Sequence, residues 1–161
     1  MTRGGNIPTS DIDVEKTRRE LKNAHPGCRL VVAEDKQEMI AEISDGFAVA
    51  VIERSPPHFH IKMREVYRVL RGTLFVACGG YGNVLRQGET IAIEPGQIHF
   101  ARASRDPAWI EVKSSPLWSA DDHFVLIGTA ADDDHDAKTR TVEAGGRETD
   151  QIMTQRDRVY G

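Results

Sequence analysis

Short apolar runs recur along the middle of the chain, each closed by glycine, proline or a polar pair. The pattern predicts strands near Arg29–Ala33, Glu38–Ser44, Phe47–Arg54, Phe59–Met63, Val66–Leu70, Thr73–Cys78, Val84–Arg86, Thr90–Ile93, His99–Ala103, Trp109–Lys113 and Phe124–Ile127. Ser44-Asp45-Gly46 and the segment Gly79 to Asn83 read as hairpin turns. Pro56-Pro57 reads as the end of the third strand and an extended entry to the fourth. Many short strands punctuated this way point to an antiparallel all-β barrel or jelly roll.

The two ends differ from this middle. Ser10 reads as a helix N-cap, with Asp11 and Asp13 in the first turn, where the helix dipole favours acidic groups. Ile12, Val14 and Leu21 are the apolar residues of that helix, and Pro26-Gly27 ends it. From Thr129 onward the chain is polar and at first acidic. Three regions follow: an N-terminal helical arm over 1–29, a barrel over 30–128, and a polar tail over 129–161. The tail is expected to be loosely held or to pack on a neighbour.

Two motifs within the barrel carry chemistry. The first is His58-Phe59-His60, then Glu65, then Gly72; the second is Gly88, then Pro95-Gly96, then His99. His58 and His60 are two apart, so on a strand they share a face. Taken singly, His99 reads as a surface or core histidine. Taken with His58, His60 and Glu65, it completes a set of three imidazoles and one carboxylate, which suits one divalent transition metal such as Zn, Fe, Mn or Ni. Strand parity sends Tyr67 and Val69 inward with Glu65, Ala101 and Ala103 inward with His99, and Lys62 inward at the mouth. The alanines would leave room beside the ion, in an apolar pocket for a small-molecule ligand. Glu65, Tyr67 and Lys62 are then the candidate catalytic groups.

These motifs resemble those of the cupin superfamily. His58, His60, Glu65 and Gly72 fit its first motif, with Ser55-Pro56-Pro57 in place of the opening glycine. Gly88, Gly96 and His99 fit its second, with Glu94 where a proline is usual and Ala103 where an asparagine often stands. The resemblance implies a double-stranded β-helix, or jelly-roll, barrel. It also implies a homodimer paired through the outer sheet and N-terminal strands, for which outward Phe75, Phe100 and Trp109 would supply apolar surface.

Within the superfamily, the segment from Arg64 to Thr73 and the segment Ile110 to Ser114 followed by Asp121-Asp122 resemble type II mannose-6-phosphate isomerases. That likeness implies sugar isomerase- or epimerase-like chemistry, in which a metal polarises the substrate while a base moves a proton. A phosphosugar also needs cations, for which Lys62 and Arg64 are the candidates. Two further classes remain open: a non-haem Fe(II) dioxygenase and a non-catalytic module that binds a small ligand.

The remaining features exclude more than they add. A chain of 161 residues with 39% hydrophobic and 29% charged residues is ordinary for one globular domain. A net charge of −4 gives no reason to expect nucleic-acid binding. The longest apolar run, Phe47 to Ile52, is too short to cross a membrane, and no signal segment opens the chain. Cys28 and Cys78 make no disulfide framework, so a cytoplasmic protein with reduced thiols is expected, Cys78 being a small buried hydrophobe. His25 and His123 fall outside the ligand pattern and read as surface residues. Asp132, Asp134, Asp136 and Glu143 match the spacing of an EF-hand loop. Ala137 replaces its turn glycine and no helix flanks it, so the segment reads as a solvated acidic turn.

Overall fold

The computed structural model describes residues 11–126 and the short strand Ile152–Thr154. One helix, α1 (Val14–Ala24), precedes the strands β1 (Arg29–Val32), β2 (Glu38–Ser44), β3 (Phe47–Ile52), β4 (Arg54–Phe59), β5 (Arg64–Arg71) and β6 (Leu74–Cys78). Then come β7 (Tyr81–Leu85), β8 (Thr90–Ile93), β9 (His99–Ala103), β10 (Ala108–Ser115), a 3-10 turn at Ala120–Asp122, β11 (Phe124–Leu126) and β12 (Ile152–Thr154). They form two antiparallel six-stranded sheets, ordered β1-β2-β3-β10-β5-β8 and β12-β11-β4-β9-β6-β7. The all-β architecture is the one the strand pattern predicts. The two sheets face each other but do not close into a continuous barrel.

Alternation along the strands builds two cores. Inward positions such as Ile52, Val69, Leu74, Val76, Ile93 and Ile110 pack between the sheets, all 2% exposed or less. Each side chain of this size contributes about 1.5–3 kcal/mol on burial. The opposite face of β2 and β3 presents Met39, Ala41, Val49 and Val51, which pack with Ile12 and Leu21 of the N-terminal arm. The described part of the arm therefore packs over the outer face of one sheet. Trp109 belongs to this outer cluster, and the Arg71 guanidinium lies 4.4 Å over its ring. That corrects its assignment to a free dimer surface. Phe75 and Phe100 are half-buried, with ring centroids 6.1 Å apart.

Several boundaries differ from the sequence reading for identifiable reasons. Asp13 caps α1, its side chain accepting the Lys16 N–H, so Asp11 lies outside the first turn; Ser10 lies outside the described residues. Pro56-Pro57 does not end a strand: β4 runs through it, and the register with β9 jumps between Ser55 and His58. Prolines cannot donate to a ladder, and this bulge is where the missing N–H groups cost nothing. The β6–β7 turn is only Gly79-Gly80, with Cys78 paired to Tyr81. Both glycines have positive φ, +56° and +92°, which a tight two-residue hairpin requires. The tail supplies β12, paired with β11; the acidic segment around Asp134 lies outside the described residues. Among the described residues no helix is long and apolar enough to cross a membrane.

Candidate metal centre

Four side chains converge between the sheets. His58 is the next-to-last residue of β4, His60 follows the strand, His99 opens β9 opposite His58, and Glu65 reaches across from β5 in the other sheet. All are buried, and the atoms they offer lie within 4.8 Å of one another. These are the residues that the two motifs predicted as a set.

The backbone fixes which ring nitrogen faces inward. The Nδ1–H of His58 donates to the Pro56 carbonyl at 2.7 Å, that of His60 to the Asp122 carbonyl at 2.7 Å, and that of His99 to the Gln97 carbonyl at 2.9 Å. A carbonyl only accepts, so each Nδ1 carries its proton and each Nε2 is left with a lone pair. The Nε2 atoms of His60 and His99 both lie 3.3 Å from the same Glu65 oxygen, Oε2. Both are buried without a hydrogen-bond partner. Lone pairs facing a buried carboxylate oxygen repel unless a cation lies among them. A divalent ion satisfies all four ligands at once, whereas a proton satisfies one pair. The donor set therefore fits a metal, with His58, His60, His99 and Glu65 as its ligands.

Electrostatics point the same way. Burial alone would raise Glu65, but the facing His60 and His99 outweigh it and hold the carboxyl far below its usual range. Burial alone would lower His60, but Glu65 outweighs it and raises the imidazole. Burial, reinforced by His99 and His123, drives His58 well down, so that ring stays neutral. Tyr67 is pushed well up by burial and by Glu65, and its hydroxyl donates to Glu65 Oε2 at 3.2 Å.

Two important residues were not legible as site residues. Asp122 accepts the backbone N–H groups of Ile61, Lys62 and Met63 while its carbonyl holds His60. Burial would raise its carboxyl, but those backbone donors outweigh it and lower the pKa. The adjacent His123 is buried, not a surface residue, and its ring stacks on His58 at 4.6 Å with 17° between planes. The signal was the Asp121-Asp122 pair ahead of the last strand. His25 is half-buried and caps the C-terminus of α1, remote from the cluster in role.

A cavity of about 940 Å³ opens beside the cluster, lined by His58, Glu65, Tyr67, His123 and Trp118 among others. It lies between the β1–β3 side of one sheet and β4 and β11 of the other. Ala101 and Ala103 do not line the cavity; Ala48 and Ala50 do. Lys62 is exposed and outside the lining; Met63 takes the buried position. Arg64 is also outside it, paired with Glu94 at 2.8 Å.

No protein-family model and no curated protein matches the chain. Solved structures do. The nucleoside dehydratase Pac13, studied from Streptomyces with uridine, aligns with a TM-score of 0.54 at 10% identity over 62% of this chain and 84% of its own. CapF, a capsular polysaccharide assembling protein from Staphylococcus aureus, aligns with a TM-score of 0.54 at 12% identity, over 62% of this chain and 31% of its own. KdgF from Halomonas aligns at 0.48 with 16% identity, over 51% of this chain and 82% of its own. The fold is that of the cupins. These neighbours support the cupin fold and lend no support to a specific resemblance to mannose-6-phosphate isomerases.

Proposed function

We propose that this cupin-fold chain is a metal-dependent enzyme that moves a proton on a small hydroxylated carbonyl compound, in the manner of a sugar isomerase or epimerase. The observation that carries this reading is His123, an imidazole outside the ligand set that lines the same cavity and stacks on a ligand. A binding module needs the ligands and the cavity; it has no need of a second imidazole at the cavity wall. The neighbour Pac13 is named as a nucleoside dehydratase, which favours chemistry on a sugar-bearing substrate.

A bound divalent ion would polarise the substrate carbonyl and the neighbouring hydroxyl. His123 would take the proton from the hydroxyl-bearing carbon beside the carbonyl and return it to the former carbonyl carbon, while the hydroxyl proton passes to the former carbonyl oxygen. One C–H and one O–H bond break, one of each forms, and no net oxidation occurs. Tyr67 holds Glu65 in place through its hydroxyl, and Glu65, His60 and His99 are all buried. Lys62 has no part in this arrangement.

The test is proton exchange in deuterated water, read by NMR on aldoses and ketoses, free and phosphorylated, with protein loaded with Zn, Mn or Fe. Deuterium should enter the substrate at the carbon beside the carbonyl. His123→Ala should abolish entry while the ion stays bound. Saturable binding without exchange across the panel would make the chain a binding module instead. We also propose a homodimer, supported by half-buried Phe75 and Phe100 on one sheet; a monomer in sedimentation at micromolar concentration would count against it.

A further inference from the structure

We infer that the cavity selects uncharged or cationic hydroxylated molecules and turns away phosphate esters and other anions. This rests on the cavity being the substrate site of the reading above, and it narrows the substrate class of that site.

Charge along the wall supports it. Five carboxylates outside the ligand set line the cavity: Glu34, Asp35, Glu38, Glu42 and Asp45. They run along one side, from the β1–β2 turn through β2 to the β2–β3 turn. Against them stand two guanidiniums, Arg29 and Arg54. Arg29 and Glu42 offset one another, the Arg29 Nε lying 3.3 Å from Glu42, which leaves Glu34, Asp35, Glu38 and Asp45 against Arg54. The two cations that a phosphosugar would have used, Lys62 and Arg64, lie outside the lining. A cleft bearing one sign of charge between low-dielectric walls focuses its field and changes the local concentration of charged solutes by large factors. Here that field repels a phosphate before it reaches the ligand cluster.

The same wall offers what a neutral hydroxylated ring needs. Carboxylates accept hydrogen bonds from hydroxyl groups, and do so more strongly than neutral acceptors. Trp118 also lines the cavity, 39% exposed, with its ring 6.0 Å from His123. Its face can stack against the apolar side of a ring held near the ligands. Hydroxyl acceptors together with an indole in one lining describe a site for an unphosphorylated sugar or amino sugar.

Trp118 also makes the local field measurable. The chain has two tryptophans, so Trp109→Phe leaves Trp118 as the sole indole reporter. Should that variant not fold, the difference between wild type and Trp118→Phe isolates the same emission. Quenching by iodide and by caesium, each divided by its value for free N-acetyltryptophanamide in the same buffer, reads the sign of charge beside the ring. At low ionic strength caesium should be at least about threefold more effective than iodide. The ratio should fall toward one at about 1 M salt, where screening is short-ranged. It should also fall toward one in the triple variant Glu34→Gln, Asp35→Asn, Asp45→Asn, which removes exposed charge away from the ligands. Iodide quenching as effective as caesium would overturn the inference. So would a saturable change in Trp118 emission below about 1 mM inorganic phosphate. Quenching needs neither metal nor turnover, so its failure is separate from a failure of the exchange experiment.

Discussion

His58 and His99 are direct cross-strand partners on β4 and β9, with ring centroids 4.0 Å apart. Each donates its Nδ1–H to the carbonyl two residues before it, Pro56 for one and Gln97 for the other. The ladder thus sets the spacing of two ligands, and each strand's own backbone sets their tautomers. The packing between the sheets rests on residues such as Leu74, Val76 and Ile110, none of which depends on an imidazole. His99→Ala should therefore remove the ion and leave the fold. Elemental analysis after dialysis should drop from about one metal per chain to near none, while the apo variant still gives a cooperative melt. A variant that does not fold even without metal would make His99 structural.

Much of this was legible because period-two spacing survives in sequence. His58 and His60 announce one face of a strand, and the flanking glycines and prolines bound it. Gly72 and Gly96 indeed have φ of +87° and +82°. What was not legible comes from contacts between distant parts of the chain. Asp122 grips the backbone of residues 61 to 63 across 59 or more positions, and no local period marks that. His123 follows from the same contact, since the turn that seats Asp122 also carries His123 against His58. Lys62 failed for a related reason: its N–H is drawn to Asp122, β4 has already ended, and simple alternation no longer applies.

Metal affinity should fall with acid. Without an ion the proton's preferred seat in the cluster is His60, whose pKa lies above the ordinary 6.5 because Glu65 outweighs the effect of burial. Metal binding must displace that proton, so affinity should weaken as pH falls through the raised value, by about tenfold per pH unit for one displaced proton. A chelator competition series from pH 8 to pH 5 reads the slope. A flat profile would place the ion elsewhere.

Asp122→Asn should cost stability in a pH-dependent way. The Asp122 carboxyl is lowered from the ordinary 3.8. Its contribution is therefore fully present above that value and lost as pH falls through the lower folded one. The variant keeps an acceptor but loses the charge that serves three N–H donors, at a cost of about 1–3 kcal/mol. In urea melts of the apo proteins, the gap between wild type and variant should be constant from pH 7 to pH 5. It should narrow below about pH 4.

The turn glycines give a purely conformational test. Gly96 has nothing within 4 Å of a built Cβ, and at Gly72 the nearest atom, the Ala108 Cα, is 3.4 Å away. Space is available at both, so the cost of Gly72→Ala or Gly96→Ala is that of holding an L-residue at positive φ, about 1–2 kcal/mol. Equal losses in chemical denaturation are expected. A much larger loss at Gly72 would mean that the strand end shifts against Ala108.

Tyr67→Phe separates a core residue from a positioning one. The ring packs in the core between the sheets, and Phe keeps that packing. Only the hydroxyl is removed, and its partner is Glu65 Oε2, the oxygen that also faces His60 and His99. The apo protein should keep its stability to within about 1 kcal/mol, since one hydrogen bond is lost and one buried hydroxyl with it. Metal affinity should fall by about tenfold, the usual cost of removing a group that orients a ligand. Both quantities come from one pair of measurements, an apo melt and a metal titration. An unchanged affinity with an unchanged melt would leave Tyr67 as packing alone, with Glu65 held by the two imidazoles.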